Sequence, residues 1–213
     1  MPLFEVRRGL GAGFGNNASP AAQMNTLGQQ VVMEFYQAMV LDGRGYQVRA
    51  GTISVPIVGD VLITDAAAEM SVDAASGTTL MPMAVNISYN LAAATLFEAA
   101  GKSVATVSSA GTAFTPLPLK SDGAAAVSTA RAATAGGVTV TAELATTTLR
   151  HFSWSQPIAA GAWPTWYDWQ PLYAPVLVGA RCFYVQIAAD TTAPSYYSNI
   201  DYLELPTLLV VPS

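Results

Sequence analysis

Short segments in which apolar and polar residues alternate recur along this 213-residue chain, and Gly, Pro, Asn and Asp separate them. In residues 81–91, one face carries Met83, Val85, Ile87 and Tyr89, and the other carries Asn86, Ser88 and Asn90. Alternation with a period of two predicts a half-buried β-strand. About ten such segments with turns between them are typical of a two-sheet sandwich, not of alternating strands and helices. The sequence therefore predicts an all-β fold, a single jelly-roll-like antiparallel β-sandwich.

The other predicted strands follow the same pattern. They cover residues 46–50, 52–58, 61–64, 70–73, 104–108, 138–142, 146–154, 176–178, 181–189, 197–205 and 208–211. Residues 190–195 are predicted to be a hairpin loop between the last two long strands. Two segments stay open between alternatives, residues 91–100 as a short helix or a strand and residues 124–135 as a short helix or an irregular excursion.

Residues 31–41 fit either a strand or a helix. Apolar residues on both alternating faces favour a strand that is covered on both sides, whereas Met, Glu, Gln and Ala are good helix formers. Residues 42–45 (DGRG) are a turn signal, and residues 46–50 alternate like a returning strand. We therefore predict a β-hairpin at this position.

The first thirty residues differ in composition from the rest of the chain. Glycine stands at every second position from residue 9 to residue 15, and residues 16–20 read NNASP. Such a stretch cannot form a helix or a packed strand by itself. We therefore predict an extended assembly arm over residues 1–30 and one sandwich domain over residues 31–213. The candidate contact residues in the arm are Phe4, Arg7, Arg8 and Phe14.

Charge is scarce. Hydrophobic residues make up 52% of the chain and charged residues 11%, with a net charge of −5. A typical soluble domain is about one-quarter charged, so this surface suits burial against other subunits. Only Arg7 and Arg8 are adjacent among the nine cationic residues, so no direct contact with nucleic acid is expected. No apolar run reaches the length of a membrane span, and no secretory signal is recognised.

The residues for catalysis are too few to support an enzyme. His151 is the single histidine, and it needs both a nucleophile and a carboxylate in space to act as a base. No G-x-S-x-G motif is present, so we interpret His151 as structural. Glu143, Asp168 and Asp201 are glycosidase candidates by residue type alone, and their spacing does not support that role. We therefore expect no catalytic residues.

No metal or other cofactor is predicted either. The chain lacks a Cys/His cluster and a calcium-loop motif. Asp60, Asp65, Glu69 and Asp73 could supply oxygen ligands to calcium, but we favour solvated acids at strand ends. Cys182 is the single cysteine, and its strand-like surroundings predict a buried, inert thiol.

Aromatic residues concentrate in one stretch, since all four Trp lie between residues 154 and 169. Four prolines between residues 157 and 175 predict an irregular loop over residues 155–175. Flat aromatic rings can stack against sugars, so this loop is a candidate for glycan binding. The alternative, which we favour, is a loop folded over the sandwich end or buried between subunits. The candidate contact residues are Trp163, Trp166, Tyr167 and Trp169.

The layout as a whole resembles the jelly-roll structural proteins of bacterial viruses, including capsid, cement and spike components. The resemblance lies in the Gly/Asn-rich arm, the Ala/Thr-rich, charge-poor body and the strand–TTAP–strand unit that begins at residues 185–194. It implies copies of this chain assembled as trimers or pentamers, contacts with other capsid proteins, assembly in the host cytoplasm and a final location in the virion. A carbohydrate-binding or receptor-binding sandwich that uses the Trp-rich loop is the alternative.

Overall fold

A computed structural model describes residues 35–89, 95–132, 137–144, 147–158 and 166–207. This part of the chain contains one short helix, α1 (Phe35–Leu41), and sixteen strands. The strands are β1 (Gly45–Ala50), β2 (Ile57–Val58), β3 (Ala67–Ala68), β4 (Met70–Asp73), β5 (Thr78–Tyr89), β6 (Thr95–Val104), β7 (Ser109–Ala110), β8 (Thr112–Phe114), β9 (Leu117–Pro118), β10 (Thr129–Ala132), β11 (Val138–Thr139), β12 (Leu149–Ile158), β13 (Trp166–Trp169), β14 (Leu177–Val178), β15 (Cys182–Ala189) and β16 (Ser195–Pro206). Within the described ranges, no helix is both long and apolar enough to cross a membrane.

Two antiparallel sheets form a sandwich, as predicted. The first sheet has the order β13-β5-β16-β1-β9, with β14 on β5 and β2 on β16, and the second has the order β12-β6-β15-β4-β10-β8. Eight strands carry the framework, and they are β1, β4, β5, β6, β12, β13, β15 and β16. Numbered one to eight along the chain, they read 6-3-8-1 in the first sheet and 5-4-7-2 in the second. This interleaving is the connectivity of a jelly roll.

The main hydrophobic core lies between the inner faces of the two sheets. Fully buried side chains such as Ile87, Ile200 and Phe183 meet there. A third, small sheet with the order β3-β11-β7 provides the residues that cover part of the outer face of the second sheet. Because of this cover, every residue of β15 is buried, including Cys182. The prediction of a buried thiol is confirmed.

The predicted hairpin at residues 31–50 is wrong, because its first half contains the helix α1. The turn residues cap that helix: the Gly43 amide donates to the Val40 carbonyl at 3.0 Å, and the Arg44 amide donates to the Met39 carbonyl at 2.9 Å. Gly43 has a φ of 78°, which a residue without Cβ adopts at little cost. This pair of backbone hydrogen bonds is a Schellman cap. An Asp-Gly pair serves a helix end as well as a hairpin.

A β-bulge alters the predicted faces of β5. Ala84 pairs with Asp201 and Pro82 with Tyr202, so Met83 is an extra residue between the two pairs. The inward positions therefore change from even to odd numbers along the strand. Leu80 is buried before the bulge, Ile87 is buried after it, and Met83 is only half-buried.

Other predicted elements also differ. Residues 95–104 are strand β6, which decides the alternative left open there, and residues 129–132 are strand β10 within a segment predicted to be helical or irregular. Residues 61–64 form no strand, and of the predicted strand at 104–108 only Val104 is in a strand, as the last residue of β6. The predicted strands at 52–58 and 138–142 are shorter than expected. The segment at 208–211 lies outside the described residues.

The link between β15 and β16 is not a hairpin. β15 pairs with β4 and β6 in the second sheet, whereas β16 pairs with β1 and β5 in the first. Residues 190–194 therefore cross from one sheet to the other at one end of the sandwich. At that end the Gly59 amide donates to the Pro194 carbonyl at 2.8 Å, so residues 51–62 lie beside the crossing.

Candidate functional site

The aromatic stretch closes one open side of the sandwich. β12 and β13 are the edge strands of opposite sheets, and their inward rings meet. Trp154 stacks on Tyr167 with centroids 4.9 Å apart, and Trp169 lies 5.2 Å from Phe152 and 5.8 Å from Phe183. These contacts give Tyr167 and Trp169 a packing role between the sheets.

The predicted loop at 155–175 therefore contains regular structure. β12 continues to residue 158, and β13 occupies residues 166–169. Pro157 sits in an edge strand and Pro171 lies beyond the other one, and the edge of a sheet tolerates proline. The prolines do not exclude strands here, because both elements are at edges.

The candidate contact residues of this stretch separate onto two faces. Tyr167 and Trp169 point inward, while Trp166 is 68% exposed on the outer face of the first sheet. Trp163 lies outside the described residues, as do Phe4, Arg7, Arg8 and Phe14 of the arm. Among the candidate contact residues that the structure describes, Trp166 is thus the one with a solvent-exposed side chain.

A row of polar side chains crosses the outer face of the first sheet next to Trp166. Strand register aligns Arg49, Asn199, Asn86 and Asp168 across β1, β16, β5 and β13. Asn199 Nδ2 donates to Asn86 Oδ1 at 2.8 Å, and Asn86 Nδ2 donates to Asp168 Oδ1. Sequence reasoning missed this row, because alternation gives the face of each residue but not which strands are neighbours.

The helix α1 lies at one border of this face. It packs on β1 and β16, and the pKa of Tyr36 is raised to about 12, mainly by burial and then by the carboxylate of Asp201. Gln47 Nε2 donates to Asp201 Oδ1 at 2.8 Å, which continues the polar face toward the helix. The chain therefore enters the sandwich on the outer side of the first sheet.

His151 contacts a serine inside the sandwich. Its Nε2 lies 2.8 Å from Ser103 Oγ, and its ring packs 5.7 Å from Phe183. Burial lowers the pKa of His151. Ser103 is 3% exposed, so a substrate cannot reach its hydroxyl. In the described part of the chain, no hydrogen bond joins this ring to a carboxylate, and the contact fits a structural role.

Of the three carboxylates that are glycosidase candidates, Glu143 belongs to one hydrogen-bond network and Asp168 and Asp201 belong to another. Glu143 accepts from Lys102 Nζ at 2.6 Å and from Arg150 on the second sheet. Asp168 and Asp201 lie on the outer face of the first sheet, where they accept from side-chain amides. Lys102 and Glu143 also line an open groove of about 320 Å³ over β6 and β12.

The four acids considered for calcium do not converge on one point, although the Asp60 carboxylate faces that of Glu69. Glu69 accepts from the Ile187 amide at 2.6 Å, and Asp73 accepts from Ser108 through both carboxylate oxygens. Glu69 is 4% and Asp73 6% exposed, so the prediction of solvated acids is wrong for both. Among the residues that the structure describes, no three His, Cys, Asp or Glu side chains are placed to hold one metal ion.

Exposed apolar side chains gather at one end of the sandwich and at one edge of its first sheet. Near the crossing of residues 190–194, the exposed ones are Ile53, Val55, Val58, Val61 and Leu62, from 50% to 75%. In the loop between β13 and β14, which runs beside the middle of β5, Leu172 is 89% and Tyr173 85% exposed. Grouped apolar side chains on a surface are typical of contacts with another molecule.

No protein-family model matches this chain, and no curated protein or solved structure matches it. Function is therefore inferred from connectivity and surface chemistry. The jelly-roll fold occurs in proteins with many functions, including capsid proteins and lectins. The fold alone therefore does not identify the function, and the chemistry of the surface has to be considered.

Proposed function

We propose that this chain is a virion structural protein, a capsid or capsid-decorating jelly-roll subunit that assembles with copies of itself. The observation that carries the proposal is the jelly-roll connectivity in a chain whose charged fraction is only 11%. The step from fold to function is an analogy with viral jelly rolls. Surface composition adds an independent physical reason. Because the chain has few charged residues, electrostatic repulsion between subunits is weak and opposes their association little.

Two separate groups of exposed apolar side chains suit contacts between copies of the chain. The cluster at residues 53–62 lies at one end of the sandwich, and the pair Leu172 and Tyr173 lies at the edge formed by β13, β14 and β5. Two different patches on one subunit produce a heterologous contact, which closes into a ring when the rotation fits. Trimers or pentamers are the symmetric products that we expect. Other capsid proteins are the further partners, and the virion is the location.

The arm supports the same role through its point of attachment. Residues 1–30 precede α1, which lies at the border of the first sheet's outer face. We expect the arm to contact a neighbouring subunit. Direct contact with nucleic acid is not part of the proposal, because the two described cations that lie together, Lys102 and Arg150, both pair with Glu143.

Native mass measurement tests the proposal. The full chain is purified and studied by light scattering and electron microscopy over a range of concentrations. We expect closed assemblies whose mass is a multiple of the 22.2 kDa subunit. A chain that remains monomeric at every concentration would overturn the proposal.

A pair of matched variants identifies the surface involved. Ile53 is 75% and Leu117 is 52% exposed, and the two lie on different surfaces. Ile53→Asp should shift the assembly toward monomer, because a carboxylate would be buried in the contact. Leu117→Asp introduces the same charge on β9, away from both groups of exposed apolar side chains, and should leave the mass unchanged. Equal effects of the two variants would contradict a contact through the cluster at residues 53–62.

A further inference from the structure

The outer face of the first sheet carries two adjacent rows of side chains. In one row, Ser88 lies between Trp166 and Tyr197 by strand register. The next row lies two residues away along each strand. It consists of the polar side chains of Arg49, Asn199, Asn86 and Asp168. Rows that are two residues apart on one face are separated by roughly 7 Å. An aromatic surface and a line of polar groups therefore stand side by side.

Hydrogen bonds within the polar row fix its side chains before any ligand arrives. Asn86 donates to Asp168 and accepts from Asn199, and Asn199 also donates to Asp201 Oδ1 at 3.4 Å. These bonds leave one amide N–H of Asn86, the Oδ1 of Asn199 and the Oδ2 of Asp168 without a partner among the described residues. The row thus offers a donor between acceptors, with the geometry already set.

The charge of the face restricts the ligand. Asp168 and Asp201 contribute two carboxylates, and Arg49 contributes one cation that donates to Gln47 Oε1 at 2.6 Å. An anionic ligand would meet a net negative face. A neutral ligand with many hydroxyl groups can both donate to the carboxylate and accept from the amide.

We propose that this face binds a neutral pyranose oligosaccharide. The exposed indole of Trp166 stacks against the C–H groups of one sugar ring, and the hydroxyls of that ring and the next bond to Asn86, Asn199 and Asp168. Trp166 supplies the apolar contact because it is 68% exposed, whereas Trp169 is held between the sheets by Phe152 and Phe183. The proposal does not depend on the assembly role.

The test begins with an array of neutral oligosaccharides that contain gluco-, galacto- and manno-configured and N-acetylated rings, with sialylated glycans as the anionic comparison. The full chain is the probe, and calorimetric titration with the best neutral hexasaccharide follows. We expect saturable binding, which Trp166→Ala or Asn86→Ala weakens roughly tenfold. Tyr173→Ala removes a ring that is 85% exposed in the loop between β13 and β14, outside the two rows, and it should leave the affinity unchanged.

Several outcomes overturn the proposal. These are the absence of binding to every neutral glycan, binding to sialylated glycans alone, and an affinity that Trp166→Ala and Asn86→Ala do not change. Loss of binding in Trp163→Ala with full retention in Asn86→Ala assigns the sugar to the preceding segment and also refutes the face. The native mass of each variant, measured in parallel, separates this result from a failure of assembly.

Discussion

The phenyl ring of Phe152 covers Gly101 directly across the β6–β12 ladder, and a Cβ atom at residue 101 would overlap that ring. The glycine is therefore required by a close approach of side chain to backbone. We predict that Gly101→Ala destabilises the fold by about 1–3 kcal/mol through overpacking. Urea unfolding of the variant measures the loss.

A double-mutant cycle isolates the cause of that loss. In a Phe152→Ala background the ring is absent, so Gly101→Ala should cost much less than in the wild type. Equal costs of Gly101→Ala in the two backgrounds would show that the ring is not the reason for the glycine.

Glu69 is predicted to make the fold less stable as the pH rises. Burial raises its pKa from 4.5 to about 8, and the Asp60 carboxylate and the phenols of Tyr89 and Tyr196 face it. Between pH 4.5 and about 8, the folded state therefore keeps a proton on the Glu69 carboxyl that the unfolded state has released. The stability contribution is fully present below pH 4.5 and is lost as the pH rises to about 8, by an amount on the order of a few kcal/mol.

Glu69→Gln should remove this dependence, because a neutral amide can still accept from the Ile187 amide. Urea unfolding across the same pH range checks the slope for the wild type and the variant. Glu98→Gln, a change at a half-buried carboxyl on β6, serves as the control and should keep the wild-type slope. An identical slope in all three proteins would refute the assignment to Glu69.

Lys102 depends on Glu143 for compensation of its charge. Lys102 is 4% exposed, and its ammonium lies 2.6 Å from the Glu143 carboxylate. That hydrogen bond is the main reason why the pKa of Glu143 is lowered. Glu143→Ala should cost on the order of 3 kcal/mol, since it leaves a buried cation unpaired.

Removing both charges should cost less than removing one. Lys102→Met combined with Glu143→Ala leaves no buried ion, so part of the stability should return. Arg150→Ala is the matched control, because Arg150 is 63% exposed and also pairs with Glu143. A double variant that is no more stable than Glu143→Ala would contradict this account.

Deletion of residues 1–30 should impair assembly while the sandwich stays folded. The truncated chain keeps every residue of the described core, and it keeps α1, which packs on β1 and β16. Circular dichroism and urea unfolding report the fold, and light scattering reports the mass. A truncated chain that assembles like the full one would exclude a role of the arm.

Local sequence patterns were sufficient to predict the fold class, but they did not predict which strands are neighbours in the sheets. Residues 70–73 and 181–189 were recognisable as strands because their alternation or apolar run is a local property. The bulge at Met83 was not predictable, since it depends on the partner strand β16. The same reason explains the false hairpin at 190–195, because sequence does not tell which sheet a strand joins.

The candidate site was predictable only in part. The concentration of Trp indicated the correct region, and Trp166 is exposed there. Its partners Asn86 and Asn199 are 113 residues apart in sequence, so only the pairing of β5 with β16 brings them together. Buried acids such as Glu69 were missed because a carboxylate in a strand pattern looks like a surface residue until a neighbour covers it.

The position of β16 has a consequence for synthesis. This late strand lies between β1 and β5 in the first sheet, so that sheet cannot be completed until residue 206 has left the ribosome. Pairing that joins the beginning of the sandwich to its last described strand is slow to form, because a long loop must close first. A nascent or prematurely terminated chain therefore lacks the middle of one sheet. Such chains cannot present a finished subunit, which gives the cell a simple means of keeping incomplete copies out of the assembly.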